Sequence, residues 1–200
     1  MTGRLVLATR NAHKVAELQR ILSVAGLAFV LVGLDDFPDV PDVAETESTF
    51  AGNALLKARS VARATGLPAV ADDSGLCVDA LNGMPGVLSA RWSGVHGDDP
   101  ANLQLVLAQV RDVPPARRGA QFVCAAAYAD PAGSEFVVEG ALEGSLAEAP
   151  RGSHGFGYDP IFVPDGYAVT TAELRPEEKD AISHRGHAFR ALAQVLRGDS

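Results

Sequence analysis

The stretch Pro68-Ala69-Val70-Ala71-Asp72-Asp73-Ser74-Gly75-Leu76 constrains this chain more than any other. A short apolar run around Val70 reads as a buried strand, and it runs into two adjacent carboxylates, a hydroxyl and a glycine. An open α/β sheet binds its ligand just past the carboxyl ends of its strands, which is where this reading puts Asp72 and Asp73. Two carboxylates side by side repel, so at neutral pH either one is protonated or a cation neutralises the pair, and Mg²⁺ favours hard oxygen ligands of this kind. Gly75 permits a sharp turn there. The same four residues, Asp72 to Gly75, also compose a plain polar turn between two strands.

With 200 residues, 47% of them hydrophobic and 21% charged, the chain can bury a sizeable core in one domain or in two closely packed lobes. No run is long and apolar enough to span a bilayer, and Met1-Thr2-Gly3-Arg4 enters a strand without a signal-peptide pattern, so a cytoplasmic protein is expected. Cys77 and Cys124 are far apart, lack metal-ligand spacing and lie in apolar runs, which predicts reduced, buried thiols. The net charge of -8 argues against non-specific binding to nucleic acid or to anionic membranes. Any polyanionic substrate must then be met by local cations or a metal.

Arg4 to Ala8 reads as a first strand, followed at once by Thr9-Arg10-Asn11-Ala12-His13-Lys14 and a helix whose apolar stripe is Val15, Leu18, Leu22 and Ala25. Thr9 or Asn11 can cap that helix, which places Lys14 in its first turn. A cation there opposes the helix dipole unless an anion offsets it, and free N–H groups with a hydroxyl, an amide and a lysine suit phosphate. An ordinary capped helix with a solvated lysine fits the same residues. After Gly26, Ala28 to Leu34 is a second strand, and Asp35 to Asp42 is an acidic loop punctuated by proline, with Glu45 and Glu47 beyond it. Thr49 to Thr65 is helical and closed by Gly66, with Asn53 and Lys57 four apart on one face.

Leu76-Cys77-Val78 reads as a separate strand after the polar turn, and Asp98-Asp99-Pro100 opens a helix to about Arg111 striped by Leu103, Val106, Leu107 and Val110. Ala120 to Ala129 and Glu135 to Gly140 form a hairpin around Asp130-Pro131-Ala132-Gly133, and Glu143 to Ala147 extend the second strand past a bulge at Gly144. The run Ala125-Ala126-Ala127 implies a central strand packed on both faces. In Arg151 to Pro160, glycines flank Phe156, so its ring is either a stacking platform for a base or a core anchor for a tight loop. Ile161 to Val163 is a last strand; Pro176 to Lys179 starts a short helix, Ile182 to Gly186 interrupts it, and Phe189, Leu192, Val195 and Leu196 stripe a final helix.

Taken together, Thr9-x-Asn11-x-x-Lys14, Glu45, Asp72-Asp73-Ser74-Gly75-Leu76, Gly155-Phe156-Gly157-Tyr158-Asp159-Pro160, Lys179 and Ile182-Ser183-His184-Arg185-Gly186 resemble the inosine/xanthosine triphosphate pyrophosphatase family in order and spacing. The resemblance covers nearly the whole chain; Arg10 and His154 are its modest departures. It implies an α/β fold with an elongated mixed β-sheet flanked by helices, in two lobes with the active-site cleft between them, as one domain over residues 1–200 and as a homodimer. It implies hydrolysis of inosine, deoxyinosine and xanthosine triphosphates to the monophosphate and pyrophosphate with one or more Mg²⁺ ions.

By the same resemblance Asp73 is the general base, and Glu45, Asp72 and Asp73 hold the metal. Thr9, Arg10, Asn11, Ala12, His13, Lys14, Lys57 and Ser74 bind the phosphates. Phe156, Gly157, Tyr158 and Asp159 form the base pocket, with Lys179, His184 and Arg185 reading the purine edge. A site offering only donors to the 6-oxo group rejects adenine, whose 6-amino group is itself a donor. Two other functions remain open at this point: a pyrimidine-directed pyrophosphohydrolase, and a nucleotide-binding regulator without turnover.

Overall fold

The computed structural model describes residues 3–24 and 29–198. Ala25, Gly26 and Ala28, at the helix end and strand start read from the sequence, lie outside the described residues, as do Met1 and Thr2. The elements run β1 (Gly3–Leu7), α1 (Ala12–Val24), β2 (Phe29–Gly33), α2 (Phe50–Thr65), β3 (Ala69–Val78), β4 (Met84–Pro85), α3 (Asp99–Gln109), β5 (Gly119–Ala129), β6 (Glu135–Leu146), β7 (Phe162–Pro164), α4 (Pro176–Ile182) and α5 (His184–Arg197). Among the described residues the strands form one seven-stranded sheet in the order β2-β1-β3-β5-β6-β7, with β4 paired to β3. β1 runs parallel to β2 and to β3, whereas β4 against β3 and β7 against β6 are antiparallel. The sheet is therefore mixed, as expected.

The chain folds into two compact units. Unit 1 comprises residues 1–73, 124–140 and 185–200, and unit 2 comprises residues 74–123 and 141–184. In unit 1 the strands are covered on both faces, and the strand period of two decides which side chain goes where. Val6, Ala8, Ala69, Ala71, Ala125, Ala127 and Ala129 pack on Ala54, Ala58, Val61 and Ala62 of α2. Their neighbours Leu5, Leu7, Val70, Cys124 and Ala126 face the other way, onto Leu18, Ile21 and Leu22 of α1 and Ala188, Phe189, Leu192 and Ala193 of α5. The small residues of β5 serve close packing on both faces, as read from Ala125 to Ala127. In unit 2, Leu76, Val78, Ala120, Phe122, Leu146 and Phe162 gather around Leu103 and Val106 of α3 and Val110 at its C-terminal end.

Three sequence readings change. Asp72 to Gly75 are not a turn, because β3 runs unbroken from Ala69 to Val78. Gly75 is needed there for close approach, not for bending: a Cβ on it would collide with the Ser89 hydroxyl and the Gly86 carbonyl. In α5, Val195 is 48% exposed while Ala188 and Ala193 are fully buried, so the apolar face is built partly from alanines that a large-residue stripe overlooks. The second hairpin strand, by contrast, runs on to Leu146, the extension expected from Glu143 onward.

Candidate active site

Since neighbouring strand residues point to opposite faces, Asp72 follows Val70 toward α1 and α5, and Asp73 follows Ala71 toward α2. The two adjacent aspartates are therefore not a carboxylate pair sharing one face. Each has its own hydrogen-bond partners, so a single cation need not be shared between the two.

Asp72 is 3% exposed. Its Oδ2 accepts from Lys14 Nζ at 2.9 Å and from Arg185 Nε at 3.2 Å. Burial alone would raise its pKa, but Lys14 and Arg185 hold the carboxyl well below the usual carboxylate range. A contact near 3 Å is worth roughly 5 kcal/mol at an effective dielectric of about 20. Two of them offset the several kcal/mol that burying the Asp72 carboxylate costs, while Lys14 and Arg185 carry burial costs of their own.

Arg185, expected at the purine edge, sits 2% exposed in unit 1, with Nη1 donating to Glu17 Oε2 at 2.6 Å besides its bond to Asp72. A guanidinium this deep has to be paired, and β3 and α1 supply the carboxylates. Burial opposes its charge, but Glu17 and Asp72 raise its pKa further still. Glu17, itself 3% exposed, was missed in the sequence. Its signal was an acid on the apolar stripe of α1, one turn after Lys14 and beside Leu18.

Asp73 is 5% exposed and is held from α2. Asn53 Nδ2 donates to its Oδ2 at 3.0 Å, and Lys57 Nζ lies 3.4 Å from its Oδ1 and 2.9 Å from Glu45 Oε1. Asn53 and Lys57 do share a face, as their spacing predicts. Burial pushes the Asp73 carboxyl up to about 6; Lys57 opposes this and Glu45 adds to it. For Lys57 burial disfavours the charge, yet Asp73, Asp72 and Glu45 together raise its pKa. Asn53 Oδ1 also accepts from the Glu47 backbone N–H at 2.9 Å, fastening the segment that carries Glu45.

Among the described residues no three His, Cys, Asp or Glu side chains form a ready-made metal cage. Mg²⁺ does not ask for one, since it binds through one or two carboxylates plus water and substrate phosphates. Glu45 and Asp73 fit that requirement. They are hard oxygen donors that already share one cation, the Lys57 ammonium, and burial, with Glu45 adding to it, raises the Asp73 pKa to about 6. Asp72, placed with them from the sequence, faces Lys14 and Arg185 instead.

At the start of α1, Asn11 is the cap: its Oδ1 accepts from the Lys14 N–H at 3.2 Å, while Thr9 Oγ1 accepts from the Asn11 N–H at 3.2 Å. No acid occupies this first turn, and Ala12 is exposed at its first position. Of the His13 side chain the structure describes nothing. Arg10 turns to the acidic loop, donating to Val40 O at 2.7 Å and to Asp42 Oδ1 at 3.2 Å. Ser74 is half-buried in β3, the first residue of unit 2.

Unit 2 also holds the aromatic constellation. Asp159, 3% exposed, accepts from the Phe156 N–H at 2.8 Å, from Lys179 Nζ at 2.7 Å and from Thr171 Oγ1 at 2.9 Å. Lys179 Nζ stands 5.2 Å from the centroid of the Phe156 ring. Tyr158 is buried and donates its hydroxyl to Ser89 O at 2.9 Å; burial raises its pKa. The Gly157 N–H donates to Asp99 Oδ2 at 2.8 Å, and His184 stacks on Phe122 at 4.8 Å. Asp99 read in the sequence only as part of a helix start, and Ser89 and Thr171 were not singled out there.

The chain is similar to known proteins along nearly its whole length. The dITP/XTP pyrophosphatase of Streptomyces avermitilis is 64% identical over 194 residues, covering 97% of each chain. The crystal structure of a nucleoside-triphosphatase, dITP/XTP pyrophosphatase from Mycobacterium abscessus superposes with a TM-score of 0.77 at 58% identity, over 94% of this chain and 98% of that one. A HAM1 protein from Coxiella burnetii gives a TM-score of 0.87 at 44% identity, over 99% of this chain and 100% of that one. Residues 5–195 match the Ham1 family. With relatives this similar over nearly its whole length and the same sheet beneath its acidic strand, the chain belongs to the Ham1 family.

Proposed function

We propose that the protein is a Mg²⁺-dependent nucleoside-triphosphate pyrophosphatase. In one domain spanning residues 1–200, it hydrolyses inosine, deoxyinosine and xanthosine triphosphates to the monophosphate and pyrophosphate. The observation that carries the reading is Asp73, a buried carboxylate poised at about 6 between an amide, an ammonium and Glu45. A general base works best with a pKa near the operating pH, and an aspartate at its ordinary value is a poor one.

In this reading Asp73 takes a proton from the attacking water as the α-β phosphoanhydride bond breaks and pyrophosphate leaves. Glu45 and Asp73 would hold Mg²⁺, whose chemistry is to neutralise charge on the phosphate oxygens. Phosphoryl transfer asks mainly for positioning and charge neutralisation. Thr9, Asn11 and Lys14 offer the phosphates a hydroxyl, an amide, an ammonium and the N-terminal end of α1, and Lys57 and Ser74 add to them. Phe156 stacks the base, Gly157, Tyr158 and Asp159 shape its pocket, and Lys179 and His184 supply donors toward the 6-oxo group. Arg185 supports the site through Asp72.

The net charge of -8 and the two free cysteines support a cytoplasmic enzyme with a small-molecule substrate and no nucleic-acid or membrane partner. No helix among the described residues is long and apolar enough to cross a membrane. Family membership supports a homodimer, which sedimentation measures. The function itself is tested by incubating the protein with Mg²⁺ and a panel of purine and modified pyrimidine triphosphates and identifying the inorganic product. Pyrophosphate release, fastest with inosine and xanthosine triphosphates, is expected. Orthophosphate release, or a preference for a pyrimidine, would overturn the reading.

A further inference from the structure

Asp98 and Asp99 are adjacent at the start of α3, yet only Asp98 caps the helix with its side chain. Asp98 is its cap, with Oδ1 accepting from the Ala101 N–H at 3.1 Å. Asp99, the first helical residue, reaches across 58 residues of sequence to accept the Gly157 N–H at 2.8 Å. The preceding N–H, that of Phe156, is accepted by Asp159 at 2.8 Å.

Two successive backbone N–H groups, one on each side of the Phe156 Cα, are thus each committed to a carboxylate. Gly155 and Gly157 flank the ring with φ values of 75° and 61°, a left-handed conformation that costs glycine little and that many alternative loop conformations compete with. Glycine freedom on both sides would let the ring wander unless something outside the loop fixes the peptide planes. Asp159 belongs to the loop itself; Asp99 stands on a helix, which is the more rigid support.

We propose that Asp99 is a positioning residue for the nucleobase: through the Gly157 N–H it sets the orientation of the Phe156 ring, and hence the affinity for the purine but not the hydrolytic step. The proposal rests on the reading that Phe156 carries the base. A charge-assisted hydrogen bond to a backbone amide is of the strength class whose loss changes an equilibrium by about tenfold.

The test measures kcat and KM for inosine triphosphate, and the inhibition constant of inorganic tripolyphosphate, which has no base. It compares the wild type with Asp99→Ala, Asp99→Asn, Asp98→Ala and Phe156→Ala. Asp99→Ala is expected to raise KM about tenfold with kcat within about twofold and tripolyphosphate inhibition unchanged. Asp99→Asn keeps an oxygen acceptor and is expected to recover most of the loss. Asp98→Ala, which removes only the helix cap, is expected to lower the melting temperature with KM unchanged. An unchanged KM in Asp99→Ala, parallel losses for tripolyphosphate, or Asp99→Asn no better than Asp99→Ala overturns the proposal. If Asp99→Ala does not fold, Asp99→Ser, whose shorter side chain does not reach the Gly157 N–H, takes its place under the same expectations. If Phe156→Ala leaves KM unchanged, the stacking reading has failed instead; a raised KM there with a normal one in Asp99→Ala condemns the Asp99 proposal alone.

Discussion

Asp72 and Asp73 are chemically identical neighbours with opposite electrostatics, and the difference comes from which helix each one faces. Asp73→Asn keeps the shape and the Asn53 contact but cannot take a proton. It is expected to lose turnover by at least about a hundredfold while still binding nucleotide, as measured by single-turnover kinetics and titration. Turnover within about tenfold of wild type would remove Asp73 from the role of base. Because burial raises Asp73 from its ordinary value of 3.8 to about 6, the folded metal-free protein binds this proton more tightly than the unfolded chain does. The stability it lends is present below the unfolded value and is lost as pH rises through about 6. Asp73→Asn lacks that dependence. Its stability relative to wild type is therefore expected to grow, by on the order of 2 kcal/mol, between about pH 4 and about pH 7.5 in urea denaturation without added metal. Asp72 has the opposite sign: its lowered pKa stabilises the fold above the unfolded value, and that contribution fades as acid reaches the folded one. Arg185→Ala leaves Asp72 and Glu17 buried with one cation fewer and is expected to cost about 3 to 5 kcal/mol. A loss below about 1 kcal/mol would mean that water or Lys14 replaces the guanidinium.

At the scale of elements, β3 is the strand on which the site depends. Its first half is packed on both faces in unit 1, which fixes the register and therefore the direction of each aspartate; a slip of one residue would exchange them. Its second half is locked in unit 2 by Ser89, whose hydroxyl accepts from the Leu76 N–H at 2.9 Å and donates to Gly86 O at 2.7 Å. Gly75 leaves the room for this contact. Gly75→Ala is expected to destabilise the protein by roughly 1 to 3 kcal/mol, since backbone as well as a side chain must move. An unchanged denaturation midpoint would show that the 86–91 segment yields easily. Helix α2 depends on ordinary local chemistry by contrast: Thr49 caps it through the Gly52 N–H at 3.0 Å, and Gly66 closes it at a φ of 66°.

For the molecule as a whole, the excess of acid matters most where a polyanion has to bind, and a divalent cation is the simplest remedy. Adding Mg²⁺ is expected to raise the melting temperature of the wild type more than that of Glu45→Gln, while chelation abolishes turnover. Equal shifts in both proteins would place the ion elsewhere. Much of this was legible in the sequence. The places of β1, α2 and α3, a start of α1 capped by Thr9 or Asn11, the Gly66 terminus and the shared face of Asn53 and Lys57 all follow from periodicity and capping, which act over a few residues. The order of the motifs pointed to the family. Tertiary structure decided the rest. It ran β3 straight through a stretch whose composition reads as a turn, because pairing with β1, β4 and β5 satisfies a backbone that local propensity leaves undecided. It separated the two aspartates, buried Arg185 between Asp72 and Glu17, and brought Asp99 to Gly157. Those partners lie 58 to 168 residues apart, and no local preference specifies which distant charge will meet a given carboxylate. Residue order sets which groups are available; packing of helices on a two-faced sheet sets which of them meet.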